Sequence, residues 1–549
     1  MIPASNWCLC QENHQLISLD SPAKKLQISI FFWKFDLPRI HDFLRLLADH
    51  RNLIIAFSLL ASLVLQVGLV KIGYWSSAAD ESARTLLAYD LTYANVLDPF
   101  IWPPLTKVVQ GLALWVWNDL FWTPRIVSQI TGLVSVVILA LLAQEITKSR
   151  AMSALTAILS VCFQHRLLFA LAPMSESIYN PLILLFFYFL LKILQIGQRR
   201  DLYLACTFLA LAAATRYEAW FLSVPFGLTI AWTGLIKRQL KLTSVIWCAL
   251  ILSSFPIAWL GLAAFSESGV SSLFITRDQA IAMDAGWRTM VSNSHLVAFL
   301  RDIVSTPLMF GLIALVVAAS QDMKIRYWAY AVLGSLVVVT IATFLTGSIA
   351  FAAPWRLGGV WSLLLLPFLA SFIFWVIEQF QRTSTRNVVA AALIMVTVSG
   401  FGLQSILRVR HTIWNPPFSQ NDLSAGRFLR GWLSSHDGRI LVESSDYHFL
   451  NVIVASNTPE RVSPTSGDDP QLVALYIGRS EYWRKTDQNI YAEYIAPNYG
   501  LDADIDVATL RDEGIKLILA NSPDLKTALS NDLRFKKVVS EGEWVGFEL

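Results

Sequence analysis

The chain has 549 residues, of which 55% are hydrophobic and only 15% charged, with 20 Trp and 32 Phe. A soluble globular chain carries about 25% charged residues, so this composition excludes an ordinary water-soluble enzyme and points to a polytopic membrane protein. The net charge of +3 excludes a binder that works by neutralising nucleic-acid phosphates, and five scattered cysteines make no disulfide framework.

Residues 1–50 are mixed and polar, with Lys24, Lys25, Lys34, Arg39 and Arg45 ahead of the first long apolar run. No short apolar core with a small-residue cleavage site opens the chain, so no removable signal peptide is expected. Cys8 and Cys10 form a C-x-C with no second pair, which predicts no metal there. The stretch 28–47 mixes aromatics with charge and predicts an amphipathic helix lying on the membrane surface. From residue 52 the apolar runs reach the ~20 residues that a membrane-crossing helix needs. Eleven are expected: 52–72, 126–145, 151–171, 178–196, 202–216, 219–236, 243–265, 303–320, 327–346, 357–377 and 387–407. With the N-terminus inside, the cytoplasmic connections hold Lys148, Arg150, Lys192, Arg199, Arg200, Lys237, Arg238, Lys241, Lys324, Arg326, Arg382 and Arg386. The positive-inside rule supports that orientation, and an odd number of crossings puts the C-terminus outside. No internal repeat is evident, which argues against transporters built from two related halves.

The first outside loop, 73–125, places Asp80 and Glu81 at the start of a helix-like segment. Two readings are open: simple capping by acids at the positive end of the helix dipole, or a base held ionised at the membrane surface. Pro103 and Pro104 break the loop, and the aromatic-rich stretch 112–122 suits an interfacial helix. Glu176 and Glu218 lie at span ends on the same outside face. Each is placed to form a buried ion pair with Arg166 or Arg216 that fixes helix ends. Arg216 and Glu218 are too close in sequence to meet on one straight helix, so a partner from another helix is expected. His165 and Arg166 are read either as snorkelling to the interface or as a phosphate contact. The loop 266–302 has the length of a lid, with Arg277, Arg288 and His295 as groups that would close on a substrate.

After residue 408 the character changes. Short apolar runs at 439–444, 450–456, 515–521 and 536–549 are read as strands, alternating with helix-like stretches at 421–434 and 506–513. An open-edged sheet cannot cross a membrane, so 408–549 is expected to be a small soluble α/β domain on the extracytoplasmic side. The chain thus divides into a cytoplasmic segment 1–50, a membrane domain 51–407 and the soluble domain 408–549.

The order of motifs resembles the GT-C superfamily of polyprenol-phosphate-sugar-dependent glycosyltransferases, nearest to its bacterial branch of protein mannosyltransferase and aminoarabinose transferase relatives. The pieces are A-D-E-S-A-R (79–84), Asp98 and Pro99 followed by Pro103, Pro104 and Leu105, then P-R-I-V-S (124–128) and A-P-M-S-E-S (172–177). L-A-A-A-T-R-Y-E-A-W (211–220) and A-P-W-R-L-G-G (353–359) complete the series. The first motif is led by Ala where a Gly-led form is usual.

The resemblance implies an α-helical, GT-C-like membrane fold of about eleven transmembrane helices with a small C-terminal α/β domain. It further implies transfer of a sugar, with inversion, from a polyprenyl-phosphate carrier to a glycan, lipid or protein acceptor. Asp80 would be the base, with Glu81 beside it. Charge develops on the departing phosphate, which calls for placed cations, and the planar guanidinium suits that task. The outside arginines are Arg84, Arg125, Arg216, Arg277, Arg288 and Arg356, of which the late Arg356 fits the family pattern best. The expected substrate-binding set is Arg84, Glu176, Arg216, Glu218, Arg288 and Arg356, with no metal, no cofactor and no nucleic-acid partner. Membrane lipids surround the helices, and the bacterial likeness implies a plasma (inner) membrane. The competing readings are a transporter or flippase for lipid-linked glycans, and a non-catalytic assembly factor with a carbohydrate-binding tail. Mid-span charges and broken helices would mark a transporter, whereas the charges here cluster at span ends.

Overall fold

The computed structural model describes residues 47–76, 80–94, 102–265, 308–345, 354–379, 383–414, 418–443, 448–464, 507–512 and 514–549. The expected surface helix at 28–47, the lid residues Arg277, Arg288 and His295, and Asp98 lie outside the described residues.

The first membrane helix is α1 (Arg51–Lys71), followed by α2 (Asp80–Tyr89) and α3 (Leu105–Val116) of the first loop. Next come α4 (Trp122–Thr147), α5 (Arg150–Val161), α6 (Gln164–Phe169), α7 (Ser175–Ile196) and α8 (Arg199–Ala213). Then follow α9 (Glu218–Ala231), α10 (Leu242–Phe265), α11 (Leu308–Gln321), α12 (Met323–Leu345), α13 (Pro354–Leu364), α14 (Leu366–Glu378) and α15 (Thr383–Trp414). Among the described residues eight segments are long and apolar enough to cross a membrane, and each coincides with an expected span. The other three expected spans are shorter helices, so eleven full crossings are not established. Residues 151–171 divide into α5 and α6, 202–216 overlaps the 15-residue α8, and 303–320 overlaps the 14-residue α11.

Burial sorts these helices into centre and rim. The segment Gly359–Glu378 is 83% buried, whereas only 17% of the α1 window is. In α1 the buried residues are Ser58, Ser62 and Gln66, one helical turn apart, and Leu53, Phe57, Leu60 and Val64 are exposed. The small and polar stripe packs inward because close backbone approach and internal hydrogen bonding, not hydrophobicity, join helices in lipid. Arg51 Nε donates to Ser153 Oγ at 3.0 Å, tying α1 to α5. Central tryptophans are likewise satisfied: Trp328 Nε1 donates to the Phe187 carbonyl at 3.0 Å and Trp361 Nε1 to Ser335 Oγ at 2.9 Å.

The break between α5 and α6 has a specific cause. Phe163 is extended (φ −68°, ψ 118°), which leaves carbonyls at the end of α5 without helical partners. Arg166 supplies them, with Nε donating to Ser160 O at 2.6 Å and Nη2 to Val161 O. His165 and Arg166 are both buried, so the snorkelling reading of Arg166 is corrected: its guanidinium caps a helix end inside the bundle.

The C-terminal region contains α16 (Gln420–Ser435), β1 (Arg439–Val442), α17 (His448–Ser456) and β2 (Val462–Pro464). It continues with α18 (Val507–Asp512), β3 (Ile515–Ala520), α19 (Pro523–Asn531), β4 (Lys536–Glu541) and β5 (Trp544–Glu548). The sheet order is β2-β1-β3-β5-β4, with β1 parallel to β2 and β3, and β5 antiparallel to β3 and β4. Leu517 and Leu519 of β3 pack toward α16 and α17, and Ile518 and Ala520 pack toward α18 and α19. This is an α/β sheet covered on both faces, as the strand and helix alternation predicts. The exception is 450–456, expected as a strand and found in α17. Every residue from Phe449 to Ser456 is buried, so the helix has no polar face whose 3.6-residue period would reveal it.

α16 and α17 cross closely at Gly426, where an added Cβ would lie 2.3 Å from Ala455 Cβ and 2.7 Å from the Val452 carbonyl. Gly426→Leu is therefore expected to cost about 3 kcal/mol by overpacking. Earlier denaturant unfolding of the C-terminal region in the full chain checks this; an unchanged midpoint contradicts it.

Candidate functional site

Two groups of buried charge gather at one end of the bundle. The first is built on α2. Asp80 opens the helix, and Glu81, Ser82 and Arg84 in its first turns are all buried. The Arg84 guanidinium lies over the Trp102 ring, 3.9 Å from its centroid, in a cation–π contact. Arg125, near the start of α4, acts as a bracket: its Nε donates to Trp75 O at 2.8 Å and its Nη1 to Phe121 O at 2.6 Å. Its guanidinium also covers the Phe121 ring at 4.1 Å, and Glu81 and Asp119 supply nearby negative charge. One arginine thus joins the chain leaving α1 to the turn entering α4, the two strands of backbone that frame α2. Asp119 is occupied in capping, its Oδ1 accepting from the amides of Phe121 at 3.0 Å and Trp122 at 2.8 Å.

The second group lies where α8 ends and α7 and α9 begin. Glu176 in the first turn of α7 and Glu218 in the first turn of α9 both pair with Arg216, which sits between α8 and α9. The sequence expectation that Arg216 and Glu218 cannot face each other is corrected here. The chain turns between α8 and α9, so these residues are not on one straight helix, and Arg216 Nε reaches Glu218 Oε2 at 3.1 Å. The partner expected from another helix is also present, in Glu176. The Arg216 and Glu218 side chains are each 11% exposed and that of Glu176 1%. Both carboxylates are hydrogen-bond acceptors, and the one guanidinium donates to each of them. The Tyr179 ring lies 5.7 Å from the guanidinium.

Helix α3 joins the groups. Its first amide, Leu105 N, donates to Ala214 O at 2.8 Å, two residues before Arg216. Gln110 Nε2 donates to Pro173 O at 3.1 Å, three residues before Glu176. Trp115 and Val116 at its far end are 75% and 80% exposed, and the helix expected over 112–122 stops at Val116, with 117–121 forming the turn into α4.

The C-terminal domain closes over the same end. Ser82 Oγ donates to Asn451 Oδ1 at 2.6 Å, and Asn451 Nδ2 donates to Asp422 Oδ2 at 3.0 Å. Asp422 is buried, which alone would raise its pKa. His448 Nδ1 at 2.8 Å, the Ser419 amide and the Trp544 indole together hold the carboxyl below the usual range. Tyr89 OH donates to Glu460 Oε2 at 3.0 Å, and burial together with that carboxylate pushes the phenol well above its ordinary pKa. Asn457, in the left-handed region at φ 59°, accepts from Leu120 N at 2.8 Å and donates to Asn118 O at 3.0 Å.

Of the residues singled out from the sequence, Glu81 and Arg84 share one group and Glu176, Arg216 and Glu218 the other. Asp80 is placed at the start of α2 and Arg356 in the first turn of α13, by backbone only. Sequence reasoning missed Ser82, Asn451 and Tyr179. Their residue types are unremarkable, and only the fold brings Ser82 beside a residue 369 positions away.

These features define a polytopic membrane protein with buried ionic groups and a small α/β region at one end of its bundle. A model of the dolichyl-phosphate-mannose-protein mannosyltransferase family matches residues 102–259. In fold the chain is similar to ArnT from Cupriavidus metallidurans bound to undecaprenyl phosphate. The TM-score is 0.53 at 12% identity, over 90% of this chain and 97% of that one. The apo form of the same protein gives a TM-score of 0.53 at 11% identity, over 88% and 97%. The apo oligosaccharyltransferase of Archaeoglobus fulgidus aligns with a TM-score of 0.48 at 10% identity, over 86% of this chain and 69% of that one. No curated protein sequence matches the chain. The GT-C resemblance read from the motifs is thus found again, by sequence over 102–259 and by fold over most of the chain. What the chain shares with these proteins is the fold over most of its length and the family-model match over residues 102–259.

Proposed function

We propose that the chain moves a sugar from a polyprenyl-phosphate carrier to an acceptor on the extracytoplasmic side of a bacterial plasma (inner) membrane, with inversion at the anomeric carbon. Its N-terminus is then cytoplasmic and its C-terminal domain extracytoplasmic. The observation that carries the reading is the gathering of α2, which Asp80 opens, and the buried Glu176–Arg216–Glu218 cluster at one end of the bundle. The sequence match over 102–259 includes that cluster. The related fold is also one that has been seen with undecaprenyl phosphate bound.

In this reaction the acceptor's oxygen or nitrogen forms a bond to the anomeric carbon while the bond from that carbon to the carrier phosphate breaks. The electron pair leaves with the phosphate, and the acceptor's proton passes to Asp80. Glu81, buried near Arg125, balances charge around that turn. Arg84, Arg288 and Arg356 are assigned to the phosphate, where charge develops as the sugar departs. Arg216 is assigned to orienting Glu176 and Glu218, whose remaining lone pairs accept from sugar hydroxyls. The placement of these acids in first turns of helices favours chemistry at the membrane surface over transport through its middle.

The test is mass spectrometry of cell-envelope glycolipids and glycoproteins with and without the gene. A sugar missing from one class of molecule is expected and would identify both donor sugar and acceptor. Identical profiles from the two strains refute the proposal.

A further inference from the structure

The C-terminal domain holds α2 at two points and the turn entering α4 at a third. At its first turn Ser82 is bonded to Asn451, and at its last turn Tyr89 is bonded to Glu460. The third point is the turn 118–120, seized by both ends of the Asn457 carboxamide, which runs into the helix carrying Arg125. The first contact is backed by a buried polar chain. Asn451 is fixed by Asp422, itself held by His448, Trp544 and the Ser419 amide, so the Ser82 contact leads back to α16 and to the last strand of the sheet. Ser82, Asn451 and Asp422 are all nearly inaccessible to solvent. Buried polar groups that satisfy one another favour a single geometry, because a rotation that breaks a contact leaves a group unpaired in a low-dielectric site. The rotation of α2 about its axis is what sets where its first turn presents Asp80 and Glu81.

We infer that the C-terminal domain is a positioning element of the catalytic end, with Asn451 and Ser82 as positioning residues that fix the orientation of α2. The inference rests on the proposed transfer reaction and adds to it a role for the soluble domain that carbohydrate binding would not require.

The experiment uses the full-length protein in native membrane vesicles, supplied with lipid-linked sugars extracted from the same membranes. Amide hydrogen exchange across 80–89, consumption of the lipid-linked sugar and thermal stability are read in parallel. Ser82→Ala is expected to speed exchange of α2 by about tenfold and to slow sugar consumption by about tenfold, with the melting temperature moved by no more than about 2 °C. Ser82→Thr, which keeps the donor, is expected to restore both. Tyr89→Phe, at the other end of the helix, gives the same pattern more weakly and serves if Ser82→Ala fails to fold. Unchanged exchange in both variants overturns the clamp. Faster exchange with wild-type sugar consumption overturns the positioning role while leaving the proposed function intact. Absence of consumption by the wild-type chain overturns the proposed function and, with it, the positioning role.

Discussion

Asp80→Asn is expected to slow sugar transfer by roughly 100- to 10,000-fold, the range that a positioned general base contributes. The amide keeps the size and shape of the carboxylate but cannot take up a proton at neutral pH. Asp80 stands at the first position of α2, where the helix dipole favours the ionised form, and the turn is tied down by Ser82. The substitution removes about one favourable charge–dipole interaction, worth ~0.3–1 kcal/mol, so the protein should still reach the membrane in normal amount. Transfer rate and membrane abundance, measured together, separate loss of chemistry from loss of fold. Wild-type turnover in this variant contradicts the assignment of the base.

The second large effect falls on the ionic cluster. Arg216→Met should destabilise the chain by about 3–5 kcal/mol, because it removes a cation that Glu176 and Glu218 share in a buried site. Two carboxylates brought together in a site of low polarity also repel each other. Adding Glu176→Gln to Arg216→Met removes one of those charges and should recover part of the loss, since groups in one network do not act independently. Melting of the detergent-solubilised variants measures both changes. A variant Arg216→Met as stable as wild type would mean that the cluster is solvated and contributes no structural constraint.

Hydropathy made the long spans legible, because a helix in lipid needs a continuous apolar run and little else. It failed where a run was interrupted by geometry instead of by polarity. Residues 151–171 stay apolar through the break at Phe163, and the Arg166 side chain reaches back to the last two carbonyls of α5. The same residue had suggested an interfacial anchor, since an arginine in an apolar run is informative about cost but not about where its donors go. The stretch 450–456 misled for a related reason: buried on all sides, it carries no amphipathic period and its β-branched residues suit a strand equally well. At the site, Glu176, Arg216 and Glu218 stood out as charges at span ends, which is the signal that desolvation cost gives. Their mutual pairing depended on a turn between α8 and α9 that local spacing does not specify. The Ser82–Asn451 contact had no signal in the sequence at all, being a neutral hydrogen bond between residues of common type brought together by domain docking.

Proteoliposomes containing the purified chain, loaded with polyprenyl-phosphate-linked sugars and an extract of native acceptors, test the central claim most directly. The account predicts that the lipid-linked sugar is consumed, free polyprenyl phosphate accumulates and a glycosylated acceptor appears. Lipid-linked sugar recovered intact, whether left in place or merely carried to the other leaflet, would contradict it.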